Sequence, residues 1–395
     1  MDYVAQNRYW TLGMIGISLI ALKTYIYFVC IKNNRNEIIN YYPKIKGMTL
    51  LDKITNYAYP QAKRSLRPNT TYSGIKQDLV TLLNKKINQN KINGFPQPIA
   101  ALSANHLNEM RKNLPTVLRF LNSKALHSEL TSPTKLIIYN IDTDEEFGKT
   151  MYDTLEPVVS GYSMTLEIRQ FDFSSYPPHL KNLYNFSWKV TICLQTMLEF
   201  DAIYYFDTSV TPLYDEEEKH YKSLAKTVND QMNKFKECYL FTLKPSSHAM
   251  DWATCRSMYK YIKPKNQTIW SPRGDWRAHS RDHLMEQAGG SAWLIRDKKC
   301  VKGLFLPLYL CAMEANCIQP PQSQGKCADK HLKENPCLSA CHRYDQSLTN
   351  LVVGNYYNFD KRKYTVMGRL TEKFEALNKK VSWKPEDVVH TDRSG

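Results

Sequence analysis

Several short motifs that mark common enzyme classes are missing from this sequence. It contains no G-x-S-x-G nucleophile turn, no G-x-x-x-x-G-K-[ST] phosphate loop and no G-x-G-x-x-G dinucleotide loop. The chain therefore lacks the sequence motifs that would indicate a serine hydrolase, a P-loop NTPase or a dinucleotide-dependent enzyme. No internal repeat is visible, and close C-x-x-C pairs are absent, which disfavours a structural zinc site. A hydrophobic content of 43% over 395 residues instead indicates a globular body.

The ten cysteines are distributed unevenly. Cys30 lies in an apolar N-terminal segment and Cys193 in an apolar helical segment, whereas eight crowd the C-terminal half. An even set of this kind predicts disulfides formed in an oxidising compartment. The spacing leaves the pairing open, and nearby His331 and His342 keep zinc as the alternative. The eight candidates are Cys238, Cys255, Cys300, Cys311, Cys317, Cys327, Cys337 and Cys341.

The segment WTLGMIGISLIALKTYIYFVCI, residues 10–31, has the length and apolar character of a membrane span, interrupted only by Lys23. No small-residue cleavage site follows, so we expect an uncleaved signal anchor after a short tail of residues 1–9. The sequons at Asn69, Asn185 and Asn266 predict glycosylation, and with the cysteines they favour the lumen. We therefore expect a single-pass Golgi or endoplasmic reticulum protein with its main domain lumenal. Basic residues just after the span predict the opposite orientation, and that conflict stays open.

The formal net charge of +15 is concentrated near the N-terminus. Residues 32–91 hold twelve Lys and Arg against three acids. We interpret residues 32–95 as a solvated basic stem with a helix over residues 74–86. Nucleic acid is not expected as a partner, because no zinc finger or RNA-binding signature accompanies the charge.

Apolar strand patterns alternate with helical ones after the stem. Strands are predicted over residues 98–104, 135–141, 164–171, 202–206 and 237–243. The helical spacing of residues 107–121 is broken at Pro115, and a second helix is predicted over residues 188–200. The fold class is therefore α/β, a mostly parallel, Rossmann-like sheet covered by helices on both faces. We assign this body to residues 96–370 and a polar tail to residues 371–395.

Polar residues follow several predicted strands, where open α/β sheets bind ligands. Ser103, Asn105 and His106 follow the first strand, and the acids of residues 142–146 follow the second. Those acids are typical of a helix N-terminus. Asp207 follows the fully apolar AIYYF, and a carboxylate there needs a cation, a ligand or capping amides. Thr208 and Ser209 next to Asp207 make capping the alternative.

Two later stretches add candidates. Gly289 and Gly290 precede an apolar segment, where paired glycines allow close backbone approach to a ligand or form an ordinary turn. In CHRYDQSLTNLV, Arg343 could hold a phosphate, and Asp345 could act as a base or simply cap a helix. Glu286 is a second late carboxylate, although with His283 it forms only an isolated pair and no metal site.

The segments LSANHLNE, LIIYNI, FDAIYYFDTSV, GGSAWLI and CHRYDQSLTNLV occur in this order between about residue 97 and residue 365. With FDFSSYPPHLKNLYNFSWKVTIC and CAMEANCIQPPQSQGKC, they resemble GT-A type glycosyltransferases, the nucleotide-diphospho-sugar transferase superfamily. Within it, the chain is similar to a family of animal type II membrane proteins. The resemblance covers roughly two thirds of the chain and implies a class of reaction rather than a substrate.

The resemblance implies roles for the candidate residues. Ser103, Asn105 and His106 would lie by the nucleotide base. Lys189, Arg343 and Gln346, with the backbone at Gly289 and Gly290, would bind the nucleotide sugar, with Lys189 directed toward the diphosphate.

The metal position departs from the usual Asp-x-Asp pair of the superfamily. Asp207 would occupy the first position, but Ser209 stands where the second carboxylate is usual. One carboxylate and a hydroxyl make a poor shell for Mn²⁺ or Mg²⁺, so basic groups could neutralise the diphosphate instead. Asp345, with Glu286 as the second choice, would deprotonate the acceptor.

The expected function is hexosyltransferase-like transfer of a sugar from a nucleotide-diphosphate sugar. The acceptor would be a hydroxyl on a secretory-pathway glycan or glycoprotein. The alternative is an inactive lumenal binding or scaffold protein that keeps the fold. A disulfide-bonded membrane protein of unrelated function is the third possibility.

Overall fold

The strands in the middle of the sheet have almost wholly apolar sequences. In the computed structural model, β1 (Gln97–Leu102) and β4 (Ala202–Phe206) are buried along nearly their whole length, as expected for strands covered on both faces. β3 (Thr165–Gln170) lies at an edge of the sheet and is only half-buried. The structure describes residues 71–86, 94–142, 144, 146–209, 226, 229, 239–264, 285–294, 301–327, 337, 339–359 and 364, with the backbone alone for residues 125, 239–249, 251–252 and 285–294.

Six strands form one mixed sheet in the order β3-β2-β1-β4-β6-β5. The first four pair in parallel, which confirms the α/β class and the parallel sheet predicted from the apolar runs. β6 runs antiparallel to β4, and β5 antiparallel to β6, so the far edge is antiparallel. The strands are β1 (Gln97–Leu102), β2 (Lys135–Asn140), β3 (Thr165–Gln170), β4 (Ala202–Phe206), β5 (Tyr239–Ala249) and β6 (Met285–Leu294).

Helices form two packed groups: α2 contacts α4, whereas α5 contacts α1, α7, α9 and the strands β1 and β4. Right-handed crossovers between parallel strands put such groups on opposite faces of the sheet. The helix over residues 107–121 continues through Pro115, so the predicted break is wrong. The helices are α1 (Ser73–Asn84), α2 (Leu107–Leu121), α3 (Lys124–His127), α4 (Glu146–Ser160), α5 (Ser187–Phe200), α6 (Met250–Ala253), α7 (Leu306–Ala312), α8 (Ala315–Ile318) and α9 (Asp345–Tyr356).

Helix α1 belongs to the folded body, although the sequence places it in the stem. Ile75, Leu79 and Leu82 on one face of α1 are at most 1% exposed. Lys85, just after the helix, forms an ion pair with Asp201 at 2.7 Å. The body therefore starts by residue 73, and the expected boundary at residue 96 is too late.

A buried carboxylate also fastens α1. Asp78 accepts hydrogen bonds from the hydroxyls of Tyr309 (2.6 Å) and Tyr176 (2.9 Å) and from the amide of Gln195 (3.1 Å). Burial raises the pKa of Asp78, and the three donors oppose that rise. Buried polar groups need such partners, so this cluster ties α1 to α5 and α7.

Three disulfides confirm the expected oxidised cysteines. His342, one half of the zinc alternative, is instead fully buried and hydrogen-bonded to protein backbone. No group of three metal-ligating side chains occurs among the residues that the structure describes. Cys238 and Cys300 lie outside those residues, and Cys193 is free and buried. The bridges are Cys255–Cys337, Cys311–Cys317 and Cys327–Cys341.

The structure contradicts the expected glycan on Asn185. The side chain of Asn185 is completely buried. Its amide nitrogen donates to the carbonyl of His179 at 2.8 Å, and its oxygen accepts from the amide and hydroxyl of Ser187. A glycan on this nitrogen has no space in the fold. Asn69 and Asn266 lie outside the described residues.

The expected membrane anchor at residues 10–31, residues 32–70 of the stem and the C-terminal tail are also outside the described part of the chain. Within the described part, no helix is both long and apolar enough to cross a membrane.

Candidate functional site

The strand order creates a topological switch point between β1 and β4. The chain proceeds outward from β1 to β2 and β3, then returns to β4 on the other side of β1. Parallel sheets bind ligands beyond the carboxyl ends of the strands at such a point. Ser103 directly follows β1 and Asp207 directly follows β4, so two of the predicted residues leave neighbouring strands at this edge.

Three charged side chains meet beyond the end of β4. The Lys189 ammonium lies 2.9 Å from Oδ1 of Asp207 and 2.9 Å from Oδ2 of Asp345. The hydroxyl of Tyr205 donates to Oδ1 of Asp207 at 3.0 Å. The side chains of Lys189, Asp207 and Asp345 are 13%, 27% and 12% exposed, so the cluster is shielded but open on the Asp207 side.

Two helix N-termini bring the lysine and the second aspartate to this point. Lys189 lies in the first turn of α5, and Asp345 is the first residue of α9. Each helix follows a non-glycine residue with positive φ, Phe186 at 55° and Tyr344 at 43°. Such conformations are uncommon for aromatic residues. Asn185 holds the turn before α5 through the hydrogen bonds described above.

Aromatic rings flank the ammonium. Nζ of Lys189 lies 4.9 Å from the ring centre of Phe186 and 5.1 Å from that of Tyr205. Ring faces attract a cation at such distances. The ammonium therefore has two carboxylates and two rings around it.

The charges in this cluster shift the pKa values of Lys189 and Asp345. Burial lowers the pKa of Lys189, but the charges of Asp207 and Asp345 outweigh burial and raise it above the usual value. For Asp345, burial raises the pKa; Lys189 opposes this rise, and the neighbouring charge of Asp207 adds to it. The cluster thus combines a firmly protonated ammonium with a carboxylate that binds a proton more readily than usual.

The segment before Asp345 is fastened by cross-links and by a neutral histidine. Cys341 is bridged to Cys327, and His342 follows it directly. Nδ1 of His342 accepts from the amide of Cys255 at 3.1 Å, and Nε2 lies 3.0 Å from the carbonyl of Ile318. Burial lowers the pKa of His342 to about 4, so the ring is neutral at physiological pH and its role is structural.

The first-strand turn is ordered mainly by its own contacts. Ser103 Oγ lies 3.2 Å from Nδ1 of His106, and Asn105 is exposed. Asp142 accepts from the amides of Ala104 and Asp144. Asp144 in turn accepts from the amide of Glu146 at 2.9 Å. The helix-start interpretation of the acids is therefore confirmed for Asp144, whereas the amides that Asp142 binds lie outside α4.

The candidate residues from the C-terminal half of the chain lie in α9, in the segment before it and in strand β6. The Nε group of Arg343 donates to Oε1 of Gln346 at 3.2 Å, and the charge of Arg343 acts on Asp345. Gly290 pairs with Phe206, the residue before Asp207, and therefore lies inside strand β6 rather than in a turn. Gly289 is the preceding residue of β6, so its backbone runs beside the end of β4. Glu286 belongs to the same strand, and its catalytic role stays a prediction.

The metal implied by the family resemblance does not fit the described residues at Asp207. Oδ1 of Asp207 already faces an ammonium and a tyrosine hydroxyl. Ser209, in the second metal position, is exposed, and the Thr208 hydroxyl donates to Glu109 at 2.6 Å. Hard cations need several oxygen ligands, which this arrangement lacks.

Tyr205 and Phe186 were missed by the sequence interpretation. Tyr205 stands two residues before Asp207 on β4, and residues two apart share a strand face. That spacing could have identified it. Phe186 stands three residues before Lys189 in a backbone conformation with positive φ, which local pattern does not predict for an aromatic residue.

Comparisons with known proteins give a weak structural similarity. No family model matches the sequence, and no curated protein matches it. The fold is similar to that of mouse xyloside xylosyltransferase 1 in its apo form, with a TM-score of 0.35 and 10% sequence identity. The match covers 68% of this chain and 83% of that chain. At this level, the neighbour establishes neither a family nor a reaction for this chain.

Proposed function

We propose that the chain is a glycosyltransferase that uses a nucleoside-diphosphate sugar. The observation that carries the proposal is the cluster of Lys189 between Asp207 and Asp345 at the switch point of the sheet. Shielded groups with shifted pKa values in such a place are typical of a functional site. The resemblance of the surrounding segments to GT-A type enzymes agrees with it.

Sugar transfer breaks the bond between the anomeric carbon and a diphosphate oxygen and forms one to the acceptor oxygen. In the proposed reaction, Asp345 takes the proton of the acceptor hydroxyl, for which its raised pKa suits it. The diphosphate leaves with the bonding electron pair. An ammonium has three N–H donors, and the one not directed at Asp207 or Asp345 can donate to a phosphate oxygen.

Proton transfer also changes the balance of charge in the cluster. Before the reaction, one ammonium faces two carboxylates at 2.9 Å. When Asp345 becomes neutral, Lys189 is balanced by Asp207 alone. The positive charge is then less offset just as negative charge develops on the leaving diphosphate.

The competing function is a binding or scaffold protein that retains the fold without turnover. It is favoured by the same 2.9 Å distances, because Lys189 is already paired with two carboxylates and such a cluster could serve only to stabilise the fold. Nucleotide-dependent stabilisation without product would support it.

The test measures nucleoside diphosphate released by the full chain from a panel of nucleotide sugars with glycan acceptors. Asp345→Asn should lower kcat by about 10²- to 10⁴-fold, the usual contribution of a general base. Asp153→Asn, an exposed aspartate on α4, is the matched control. Wild-type kcat/KM should fall as pH falls through the raised pKa of Asp345. Unchanged turnover in folded Asp345→Asn removes this base from the mechanism.

We also propose that the body lies in the lumen of the Golgi apparatus or endoplasmic reticulum, held by the anchor at residues 10–31. Its acceptor would then be a secretory-pathway glycan or glycoprotein. The three disulfides support an oxidising compartment.

A further inference from the structure

The Lys189 ammonium is held as a bound ion would be. It lies at the same distance, 2.9 Å, from one oxygen of Asp207 and one of Asp345. The two aspartates come from β4 and α9, which are distant in the chain. Only the cation joins them in the described contacts.

A divalent ion on the same oxygen would lie close to that ammonium. Metal–oxygen distances for Mg²⁺ or Ca²⁺ are about 2.0–2.6 Å, so an ion on Oδ1 of Asp207 would lie within about 5.5 Å of Nζ. Two like charges would then share a largely shielded site. Their mutual repulsion disfavours binding of both cations to one carboxylate pair.

The aromatic rings favour the ammonium over a hydrated metal ion. Phe186 and Tyr205 present their rings at 4.9 and 5.1 Å from Nζ. Rings stabilise an ammonium without supplying the oxygen ligands that a hard divalent ion requires. The surroundings therefore match the charge and chemistry of a lysine.

We propose that Lys189 serves as a resident cation, so that the native chain takes no divalent ion between Asp207 and Asp345. A nucleoside diphosphate would then bind without a metal, and this second part rests on the proposed function. Removing the ammonium should leave two facing carboxylates and thereby open a divalent-cation site.

The experiment titrates Mn²⁺ into the full chain and follows bound manganese by calorimetry and electron paramagnetic resonance. Wild type and Asp207→Asn should give the same Mn²⁺ binding, because Asp207 holds no metal in the native chain. Lys189→Ala should gain a site that binds Mn²⁺ at least about tenfold more tightly than any site at this position in wild type. Lys189→Ala with Asp207→Asn should lose that site. Lys181→Ala, which removes an exposed lysine, is the control.

Wild-type Mn²⁺ binding that disappears in Asp207→Asn overturns the proposal. So does a folded Lys189→Ala variant that gains no site. If Lys189→Ala does not fold, the comparison of wild type with Asp207→Asn still decides.

A second titration uses uridine and guanosine diphosphates in EDTA and in Mn²⁺. Affinities that agree within about threefold support metal-free binding. Binding that requires Mn²⁺ and fails in Asp207→Asn contradicts it. Absence of nucleotide binding in both buffers contradicts the proposed function. The titration with Mn²⁺ in the absence of nucleotide still tests whether Lys189 is a resident cation.

Discussion

Replacing Lys189 by methionine removes a positive charge from between two carboxylates and preserves most of the side-chain volume. Breaking a buried ion pair on one side costs about 3–5 kcal/mol. Because Asp207 is 27% exposed, water partly screens the loss, and we expect the lower limit of about 3 kcal/mol. A body of about 300 residues has an unfolding entropy of about 0.6 kcal/mol/K, so Tm should fall by roughly 5 °C.

The penalty should depend on pH in a defined direction. The folded-state pKa of Lys189 is raised, so its contribution is complete below the ordinary lysine value of 10.5 and is lost as pH rises through the folded value. In the variant, Asp345 lacks the cation that opposes the rise of its pKa, so it protonates more readily. The difference in Tm between wild type and Lys189→Met should therefore shrink as pH falls toward about 4, the ordinary aspartate pKa.

Thermal unfolding of the full chain, followed by circular dichroism from pH 4 to pH 9, measures both effects. Lys181→Met, at an exposed position, should change Tm by little. Adding Asp345→Asn to Lys189→Met should recover part of the loss, because one unpaired carboxylate is removed. A Lys189→Met variant that melts with the Lys181→Met control would refute the reasoning that the three charges stabilise one another.

Two further predictions concern the cross-links and the membrane. The Cys255–Cys337 and Cys327–Cys341 bridges join residues 82 and 14 positions apart, so loop-closure entropy predicts stabilisation of about 4.5 and 3 kcal/mol. Reduction should therefore lower Tm, and it should abolish turnover because it releases the segment before Asp345. Full activity in reductant would contradict this prediction. In sealed microsomes, the body of the full chain should resist added protease until detergent is present; digestion without detergent would place it in the cytosol, as the flanking charges predict.

Local pattern predicted the strands well where burial and sequence period agree. AIYYF forms β4 over the expected residues, because five consecutive apolar side chains suit a strand covered on both faces. The pattern misled where tertiary contacts dominate. Helix α2 continues through Pro115, and the paired glycines lie in a strand, since pairing with β4 and packing outweigh local preference.

The site was accessible from the sequence only in part. Asp207 stood out because a carboxylate at the end of an apolar strand needs a partner. Its partner could not be read from local pattern: Lys189 and Asp345 lie in different helices, and their meeting depends on how α5 and α9 pack against the sheet.

By itself, the sequence determined the α/β class, the parallel strands, the oxidised cysteines and the position of Asp207 at the end of a buried strand. Each follows from short-range pattern or composition, which acts through local propensity and burial. Tertiary structure alone decided that α1 packs into the body, that Asn185 is buried and that Lys189 forms ion pairs with both Asp207 and Asp345. Those outcomes depend on contacts between residues far apart in the chain, whose geometry exists only after the sheet and its helices have packed.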